Sequence, residues 1–372
     1  MRVLHVQKVK GIGGSERHLL SLLPALRDTG TEVAMVVIAS DQADRFVEQM
    51  RATSVPVQVL EARRSSLSPG LALDIGKAID RYRPDLLHTH LIHADVHGQV
   101  AARRAGVRGV SSIHSVEGFY RREPYRSVAK FAHRLAARTI AISRFAGEYI
   151  VRAGVVHSER LRVVPYGIEV KDWVRTNDDR VAARRELGVE REDVVVGIAA
   201  RLTEGKGHAD AIEAVERMSR EIPQIRLMIA GEGSLREQLE AAARGVPNDR
   251  VRLVGFVQDV PRFMSAVDVV CFPTQPSLGE GFGLAALEAM ASSRPVVATA
   301  VASLPEVVLD GETGLLVPAG DAGALARALG RLAVDKDERL RMGLAGRRRA
   351  GSTFSLAAMV QKTNGVYQEA LG

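Results

Sequence analysis

Glu280-Gly281-Phe282-Gly283-Leu284-Ala285-Ala286-Leu287-Glu288-Ala289-Met290-Ala291 follows an apolar run, Val267-Asp268-Val269-Val270-Cys271-Phe272-Pro273. The run has the length and β-branched content of a buried parallel strand. Pro273, Pro276, Ser277 and Gly279 then break the chain, and strong helix formers begin near Leu284. Strand, loop and helix in that order put Glu280 at the carboxyl end of a strand, ahead of a helix N-terminus. Unpaired amides and a partial positive charge at such an end suit a phosphate. Glu288 lies further along the helix, and its side chain leans back toward the same end. Two carboxylates flanking an anion site can grip hydroxyls on both sides of a diphosphate, which is where a nucleotide sugar carries them.

Outward from this segment, short β-branched runs alternate with amphipathic helical stretches, the signature of βαβ units and parallel sheets. Candidate strands are 3–7, 33–39, 55–60, 86–90, 109–114 and 139–143, then 194–200, 225–230, 251–254, 268–273, 295–299 and 315–317. Between the two series lies Val163-Val164-Pro165-Tyr166-Gly167-Ile168, followed by a polar stretch through Asp179 that holds the only tryptophan, Trp173. Two similar series around one linker predict an α/β chain of two doubly wound, Rossmann-like domains, at 1–168 and 169–352, with ligand at the carboxyl ends of the strands. A final helix is expected within 353–372.

The length of 372 residues exceeds the usual size of one core and agrees with two domains. Apolar residues make up 46% and charged residues 26%, ordinary for a soluble globular chain. No apolar stretch approaches a membrane span, and Met1-Arg2-Val3-Leu4-His5-Val6 runs straight into a strand without a signal peptide pattern. The lone Cys271 reads as a buried core thiol. These features fit a cytoplasmic protein. Through Val170 there are 25 Lys/Arg against 16 Asp/Glu, a balance of +9, and the remainder, 26 against 28, has −2. A basic N-terminal half can attract phosphate-bearing partners or the anionic inner membrane face as a peripheral contact. Solvated arginines explain the same count. Nucleic acid is not expected, because no basic stretch is interleaved with aromatics in a recognition pattern.

Glu280 with Glu288 resembles the Glu-x7-Glu motif of retaining GT-B glycosyltransferases, glycosyltransferase family four. The likeness continues through Leu287-Glu288-Ala289-Met290-Ala291, Arg294-Pro295-Val296-Val297-Ala298, Leu304-Pro305-Glu306-Val307-Val308 and Gly311-Glu312-Thr313-Gly314-Leu315-Leu316-Val317-Pro318. It reaches from Val3 to the last helix. The resemblance implies a GT-B fold, two Rossmann-like domains facing a cleft, with the C-terminal helix crossing back to the first domain. It implies transfer of a sugar from a nucleotide diphosphate donor with retention and without a metal or other cofactor. The acceptor would be a glycan, a lipid-linked saccharide or a small molecule. Ser292-Ser293 departs from the family's usual small-Gly pair, and the loop 274–279 is slightly longer than usual beside the sugar pocket.

Strand 194–200 runs into Arg201-Leu202-Thr203-Glu204-Gly205-Lys206-Gly207-His208. Two cations on a glycine-containing loop at a strand end are well placed to neutralise a diphosphate. The resemblance gives Arg201 and Lys206 that role, and both are expected at a cleft where their removal barely changes unfolding. It places Glu280 on sugar hydroxyls, Glu288 on the ribose, and Gly281, Phe282, Gly283, Leu284 and Val257 on the donor. Near the start, Gly11-Ile12-Gly13-Gly14-Ser15-Glu16-Arg17 joins the first strand to the first helix, and its glycines allow close backbone approach to a ligand. As a dinucleotide fingerprint it fails at Glu16. By resemblance Gly13 and Gly14 line the site for sugar and β-phosphate, and Glu16 and Arg17 face the acceptor. Gly231-Glu232-Gly233 reads as a tight strand-to-helix turn.

His88, His90, His93 and His97 fall close together, but two end a strand and two start a helix, so convergence on a metal is not expected. His114 ends strand 109–114, and by resemblance it contacts a sugar hydroxyl and the reaction centre through its backbone or ring. A structural histidine is the alternative. The Asp335-Lys336-Asp337 triad reads as an N-cap and not as the metal triad of a GT-A transferase. Arg121, Arg122, Arg126, Lys130 and Arg134 with Phe119, Tyr120 and Tyr125 suit a membrane surface. Val128, Phe131, Ala132 and Leu135 are expected to form the core stripe of the same helix, so a solvated basic face is the favoured reading over a membrane-binding one. Rival functions on this architecture are a sugar-nucleotide epimerase or phosphorylase, and a non-catalytic nucleotide-sugar-binding subunit. A nicotinamide oxidoreductase is disfavoured by the broken glycine fingerprint.

Overall fold

The computed structural model describes residues 1–40, 43–61, 69–116 and 118–372. The chain divides into two compact units, Met1–Gly167 with Leu356–Gly372, and Ile168–Ser355. The first carries seven strands: β1 Arg2–Val9, β2 Glu32–Ala39, β3 Val57–Glu61, β4 Leu86–His90, β5 Arg108–Ile113, β6 Arg138–Ala141 and β7 Leu161–Val163. They form one parallel sheet in the order β3-β2-β1-β4-β5-β6-β7. The direction of winding reverses between β1 and β4, so the loops after β1, β4 and β5 gather at the switch point where such sheets bind ligands.

The second unit repeats the plan with β8 Val194–Ala199, β9 Ile225–Ala230, β10 Val251–Gly255, β11 Val269–Phe272, β12 Val296–Thr299 and β13 Gly314–Val317. Its parallel order is β10-β9-β8-β11-β12-β13, and the reversal falls between β8 and β11. Arg201 and Lys206 follow the first of these strands and Glu280 the second.

Each expected strand is found, with ends displaced by two residues at most. The addition is β7, which pairs with β6. Its three residues run straight toward Pro165, too short a stretch for a periodicity argument, and the sequence there reads as linker. The helix Leu356–Leu371 buries Met359, Val360, Val366 and Tyr367 in the first unit's core and packs on the helix Gly14–Asp28 and on β5 and β6. The last helix therefore belongs to the first unit, which the linear order of elements alone does not dictate.

Polar residues inside this core hold β4 and β5 together. Asp95 in the helix Ile92–Arg104 is fully buried and accepts hydrogen bonds from Thr89 Oγ1 of β4 and Ser111 Oγ of β5, each at 2.6 Å. Among the described residues its Oδ2 has no hydrogen-bond partner, and it lies 3.9 Å from Nε2 of buried His133, an atom that has none either. Burial pushes the Asp95 carboxyl up to about 7 and the His133 imidazole down to about 4, so both shifts favour a neutral pair. The folded chain thus holds the Asp95 proton more tightly than the unfolded chain, whose carboxyl titrates near 3.8. The Asp95 contribution to stability falls as pH rises from about 4 to about 7, by at most about 1.4 kcal/mol per pH unit, and levels off above, while His133, held down at about 4, contributes with the opposite sign up to its ordinary value of 6.5. Asp95→Asn keeps the two accepted bonds and removes the buried charge. Its unfolding midpoint should exceed that of the parent at pH 8 and converge with it toward pH 4. A variant less stable than the parent at pH 8 would contradict this ionisation cost.

Candidate active site

In the second unit the loops after β8 and β11 press together. Gly207 has φ +71°, and a Cβ there would sit 1.8 Å from the Pro273 carbonyl oxygen, so only glycine allows the contact. The Gln275 amide donates to the Gly205 carbonyl at 2.8 Å, and the Gln275 side chain donates to the Asp210 carboxylate. Behind Arg201, the Leu202 amide donates to the Glu232 carbonyl at 2.9 Å. Gly231 brings its backbone so close to Ala200 that a Cβ would lie 1.9 Å from the Ala200 oxygen. The Gly231-Glu232-Gly233 turn therefore buttresses the Arg201 loop.

This packing brings Lys206 and Glu280 into direct contact: Nζ donates to Glu280 Oε2 at 2.8 Å, with each side chain 16% exposed. Nζ also lies 5.6 Å from the centre of the Phe272 ring. The Glu280 carbonyl accepts from Ser303 Oγ at 2.8 Å, which fixes the loop ahead of the helix Leu284–Ala291. That helix starts from Gly283 at φ +86°, where a Cβ would meet Leu304 Cδ2 at 2.7 Å. The amides of Leu284 and Ala285 donate to no acceptor among the described residues, as expected of a first turn. Gly281, Phe282 and Gly283 are buried, with Phe282 edge-on to Phe354. Glu288 is buried at 3% exposure on the inner side of this helix.

Arg201 is exposed, and its guanidinium makes no hydrogen bond or ion pair among the described residues, the residue's one bond being its carbonyl accepting from the Thr203 amide at 2.9 Å. Val257, half-buried in the loop after the edge strand β10, sits at the same carboxyl edge of the sheet, two strands away from β8. An anion reaching this edge meets an uncommitted guanidinium, free helix amides and an ammonium held by a carboxylate. It would compete with Glu280 for Lys206 and release the carboxylate toward hydroxyl groups.

A cavity of about 1040 Å³, lined by Arg180, Arg184, Asp193, Asp268 and Arg294 among others, lies at the opposite, amino ends of the strands. The guanidinium groups of Arg180, Arg184 and Arg294 are spent on main-chain carbonyls and, for the first two, on Asp268. It holds the sheet's lower edge. Cys271 is buried in β11, and burial raises its thiol well above the usual range.

In the first unit the loop after β1 ends at Gly13, which caps the helix Gly14–Asp28. The Glu16 carboxylate is consumed here: Oε1 accepts from Gln7 Nε2 at 2.6 Å, and Oε2 accepts from the Gly13 amide at 2.9 Å and Ser15 Oγ at 3.0 Å. Glu16 is buried. This one-sided cap, in which the Glu16 carboxylate takes the Gly13 amide and no N-cap side chain answers it, differs from the acceptor-facing role expected of Glu16, because both oxygens serve the chain itself. Arg17 beside it is half-buried. A Cβ at Gly14 would meet nothing within 4 Å, so the missing side chain opens space outward from the helix N-terminus.

His114 follows β5, half-buried, and its ring is committed on both sides: Nε2 lies 2.9 Å from His90 Nδ1, and Nδ1 lies 2.7 Å from the Tyr166 hydroxyl. His18 stacks on Tyr166 with ring centres 4.5 Å apart. His88 and His90 do converge, though with His5 of β1 and not with His93 or His97. One nitrogen from each of the three lies within 4.8 Å of the others, a spacing that could hold a metal ion. Those nitrogens already face hydrogen-bond partners, since His5 Nδ1 is 3.0 Å from His90 Nε2 and His88 lies 2.7 Å from both Tyr367 and Ser112. His5, Tyr166 and Tyr367 were not among the expected site residues. The available signal was a pair of polar residues at alternate positions in two buried strands, His5-x-Gln7 and His88-x-His90, which pair in register.

The helix Tyr125–Leu135 corrects another expectation. Its buried residues are Ala129, Ala132 and His133, whereas Phe131, expected in the core stripe, is 54% exposed. The helix turns His133 inward to Asp95 and Thr139, which rotates Phe131 outward. Tyr125 is 61% exposed and Arg122, Arg126, Lys130 and Arg134 are exposed as well. Tyr120 is buried, Arg121 lies 4.3 Å over the Tyr149 ring, and the Phe119 side chain is outside the described residues. Asp335 caps the helix Lys336–Thr353 by accepting from the Glu338 amide at 2.8 Å.

Known proteins with this arrangement are numerous. The family described as Glycosyltransferase Family 4 matches residues 12–172, and that described as Glycosyl transferases group 1 matches residues 193–335. A D-inositol 3-phosphate glycosyltransferase of Xylanimonas cellulosilytica is 30% identical, over 94% of this chain and 90% of that one. An alpha-maltose-1-phosphate synthase of Mycolicibacterium smegmatis is 29% identical over 96% and 95% of the respective chains. Among solved structures, Anabaena HepE in complex with UDP superposes with a TM-score of 0.86 over 99% of this chain and 100% of that one, at 24% identity. The two matched regions carry the two parallel sheets, and the chain belongs to glycosyltransferase family 4, with the GT-B fold.

Proposed function

We propose that the chain transfers a hexose-type sugar from a UDP- or GDP-sugar to a glycan, lipid-linked or small-molecule acceptor, with retention of anomeric configuration and without a metal. The observation that carries this reading is the Lys206–Glu280 pair at the switch point of the second sheet, with Arg201 uncommitted beside it. In this reading the second unit binds the donor and the first binds the acceptor. Arg201, Lys206 and the amides of Gly281, Phe282, Gly283 and Leu284 stabilise the departing nucleoside diphosphate, the largest contribution such preorganised groups make. Glu280, released from Lys206, holds sugar hydroxyls, and Glu288 holds the ribose. Val257 borders the nucleotide. Gly13 and Gly14 leave room for the sugar and β-phosphate, His114 lines the sugar and Arg17 faces the acceptor. The donor phosphate takes the acceptor proton as the nucleoside diphosphate leaves the same face of an oxocarbenium-like sugar. The UDP complex of HepE and the sugar transfer named for the Xylanimonas relative support the donor class.

Donor panels test this directly. Transfer from UDP- or GDP-sugars should persist in excess EDTA, because protein cations and helix amides meet the diphosphate charge. Activity abolished by EDTA and restored by magnesium or manganese would contradict it. Epimerisation of the donor without acceptor would point to an epimerase, and binding without turnover to a non-catalytic subunit.

No helix among the described residues is long and apolar enough to cross a membrane. The exposed Phe131 and Tyr125 amid Arg122, Arg126, Lys130 and Arg134 support a peripheral contact of this cytoplasmic enzyme with an anionic membrane face. At low salt the protein should sediment with phosphatidylglycerol vesicles, and Phe131→Ser combined with Lys130→Gln and Arg134→Gln should weaken that binding. Equal recovery of parent and variant in the supernatant would remove the membrane from the reading.

A further inference from the structure

A continuous row of hydrogen-bonding rings runs through the first unit's core. Ser112 Oγ lies 2.7 Å from His88 Nε2, and His88 Nδ1 lies 2.7 Å from the Tyr367 hydroxyl. That hydroxyl is 3.5 Å from His5 Nε2, and His5 Nδ1 is 3.0 Å from His90 Nε2. His90 Nδ1 is 2.9 Å from His114 Nε2, and His114 Nδ1 is 2.7 Å from the Tyr166 hydroxyl. Ser112, His88, Tyr367, His5 and His90 are 2% exposed or less, and Tyr166 is 4% exposed. The row passes from the helix Leu356–Leu371 through β4 and β1 to the loop after β5.

Burial holds His5 and His114 down at about 3 and His88 and His90 well below the usual imidazole range, so the rings are neutral. A neutral imidazole has one N–H and one lone pair. Each link therefore needs a donor facing an acceptor, and a choice at one ring dictates the next. With Tyr367 donating to His5 Nε2, His5 Nδ1–H donates to His90, His90 Nδ1–H donates to His114 Nε2, and His114 Nδ1–H donates to the Tyr166 oxygen. The reverse polarity turns every bond around. Among His5, His90 and His114 any mixture sets two protons or two lone pairs face to face in a dry interior, an unmade bond that costs more there than in water, and a change of polarity at Tyr367 leaves its hydroxyl proton without an acceptor in the row.

We infer that His90, His5 and Tyr367 are positioning residues for His114, which hold its ring in one tautomer and one orientation through this row. The inference rests on the reading of His114 as a sugar-lining residue. Since both His114 nitrogens are occupied, its contact with the sugar falls to its main chain and ring edge, and the row keeps these in place. His93 and His97, which lie off the row, take no part.

Nitrogen NMR of labelled histidines combined with kinetics tests the inference. In the parent, His114 should give one pure tautomer that does not titrate between pH 5 and 8. His90→Leu should mix the tautomers of His114 and lower kcat ~10- to 100-fold with donor KM changed less than about twofold, as expected for misplaced geometry. His90→Asn should restore most of both, because its amide nitrogen takes the place of the imidazole Nδ1. Tyr367→Phe, which removes only a hydroxyl, guards against a variant that fails to fold and should disturb His5 and His90 signals first. Unchanged His114 signals and unchanged kcat in His90→Leu would overturn the inference. So would stoichiometric zinc binding by the parent that His5→Gln abolishes, since a metal would take the nitrogens the row requires. If His114→Ala turns over normally while His90→Leu still mixes the His114 tautomers, the sugar-lining reading fails and the row stands.

Discussion

Lys206→Ala should lower turnover ~10²- to 10³-fold, the size of effect seen when one charge-assisted contact to a developing anion is removed. Arg201→Ala should do the same, for the same reason, if both cations meet the diphosphate. The two differ in the resting protein. Arg201 is exposed and unpaired among the described residues, so its loss should leave the unfolding midpoint where it was. Lys206 holds the Glu280 carboxylate at 2.8 Å in surroundings that leave each side chain 16% exposed. Removing the ammonium strands that carboxylate and should destabilise the second unit by about 1–3 kcal/mol. This revises the expectation, drawn from sequence, that neither substitution affects unfolding. Adding Glu280→Gln to Lys206→Ala should recover stability without recovering turnover, because the two effects have different causes. Near-parental turnover in either single variant would remove that residue from the diphosphate.

The two glutamates should separate in kind. Glu288 is buried on the helix Leu284–Ala291, and its neutral amide substitute loses the strong acceptor a ribose needs. Glu288→Gln should weaken binding of the free nucleoside diphosphate ~10-fold or more, since hydrogen bonds to charged groups contribute about 1.5–3 kcal/mol. Glu280→Gln should leave that affinity intact or raise it slightly, because it frees Lys206 for the phosphate. Transfer should nevertheless fall ~10²-fold, as the hydroxyls of the sugar lose the group that orients them. Calorimetric titration of UDP and GDP, beside initial rates, distinguishes these outcomes. Equal losses of free-nucleotide affinity in both variants would contradict the division of labour.

The second unit was largely legible because its chemistry lies on short loops tied to strong strands. Val269–Phe272 is buried on both faces, and a run of that kind announces the strand whose end carries Glu280. Which loops touch was less legible. Contact between Lys206 and Glu280, 74 residues apart, depends on β8 and β11 being neighbours in the sheet, a relation that no local pattern encodes. The first unit hid more. Its polar core residues are spread over β1, β4, β5, the loop after β7 and the last helix, and each alone resembles an isolated polar residue. Phe131 misled for a related reason: amphipathic counting assumes that histidine faces water, whereas His133 is drawn inside by Asp95 and Thr139. Glu16 reads as a functional acid until the helix start is built, when it becomes the second half of a cap.

Crystals grown with UDP or GDP in the presence of EDTA give the most direct test of the central claim. The diphosphate is expected within hydrogen-bond distance of Arg201, Lys206 and the amides at the start of the helix Leu284–Ala291, with the ribose on Glu288 and the Lys206–Glu280 contact opened. A diphosphate bound elsewhere on the chain, or one held here only when a divalent cation is restored, would contradict it.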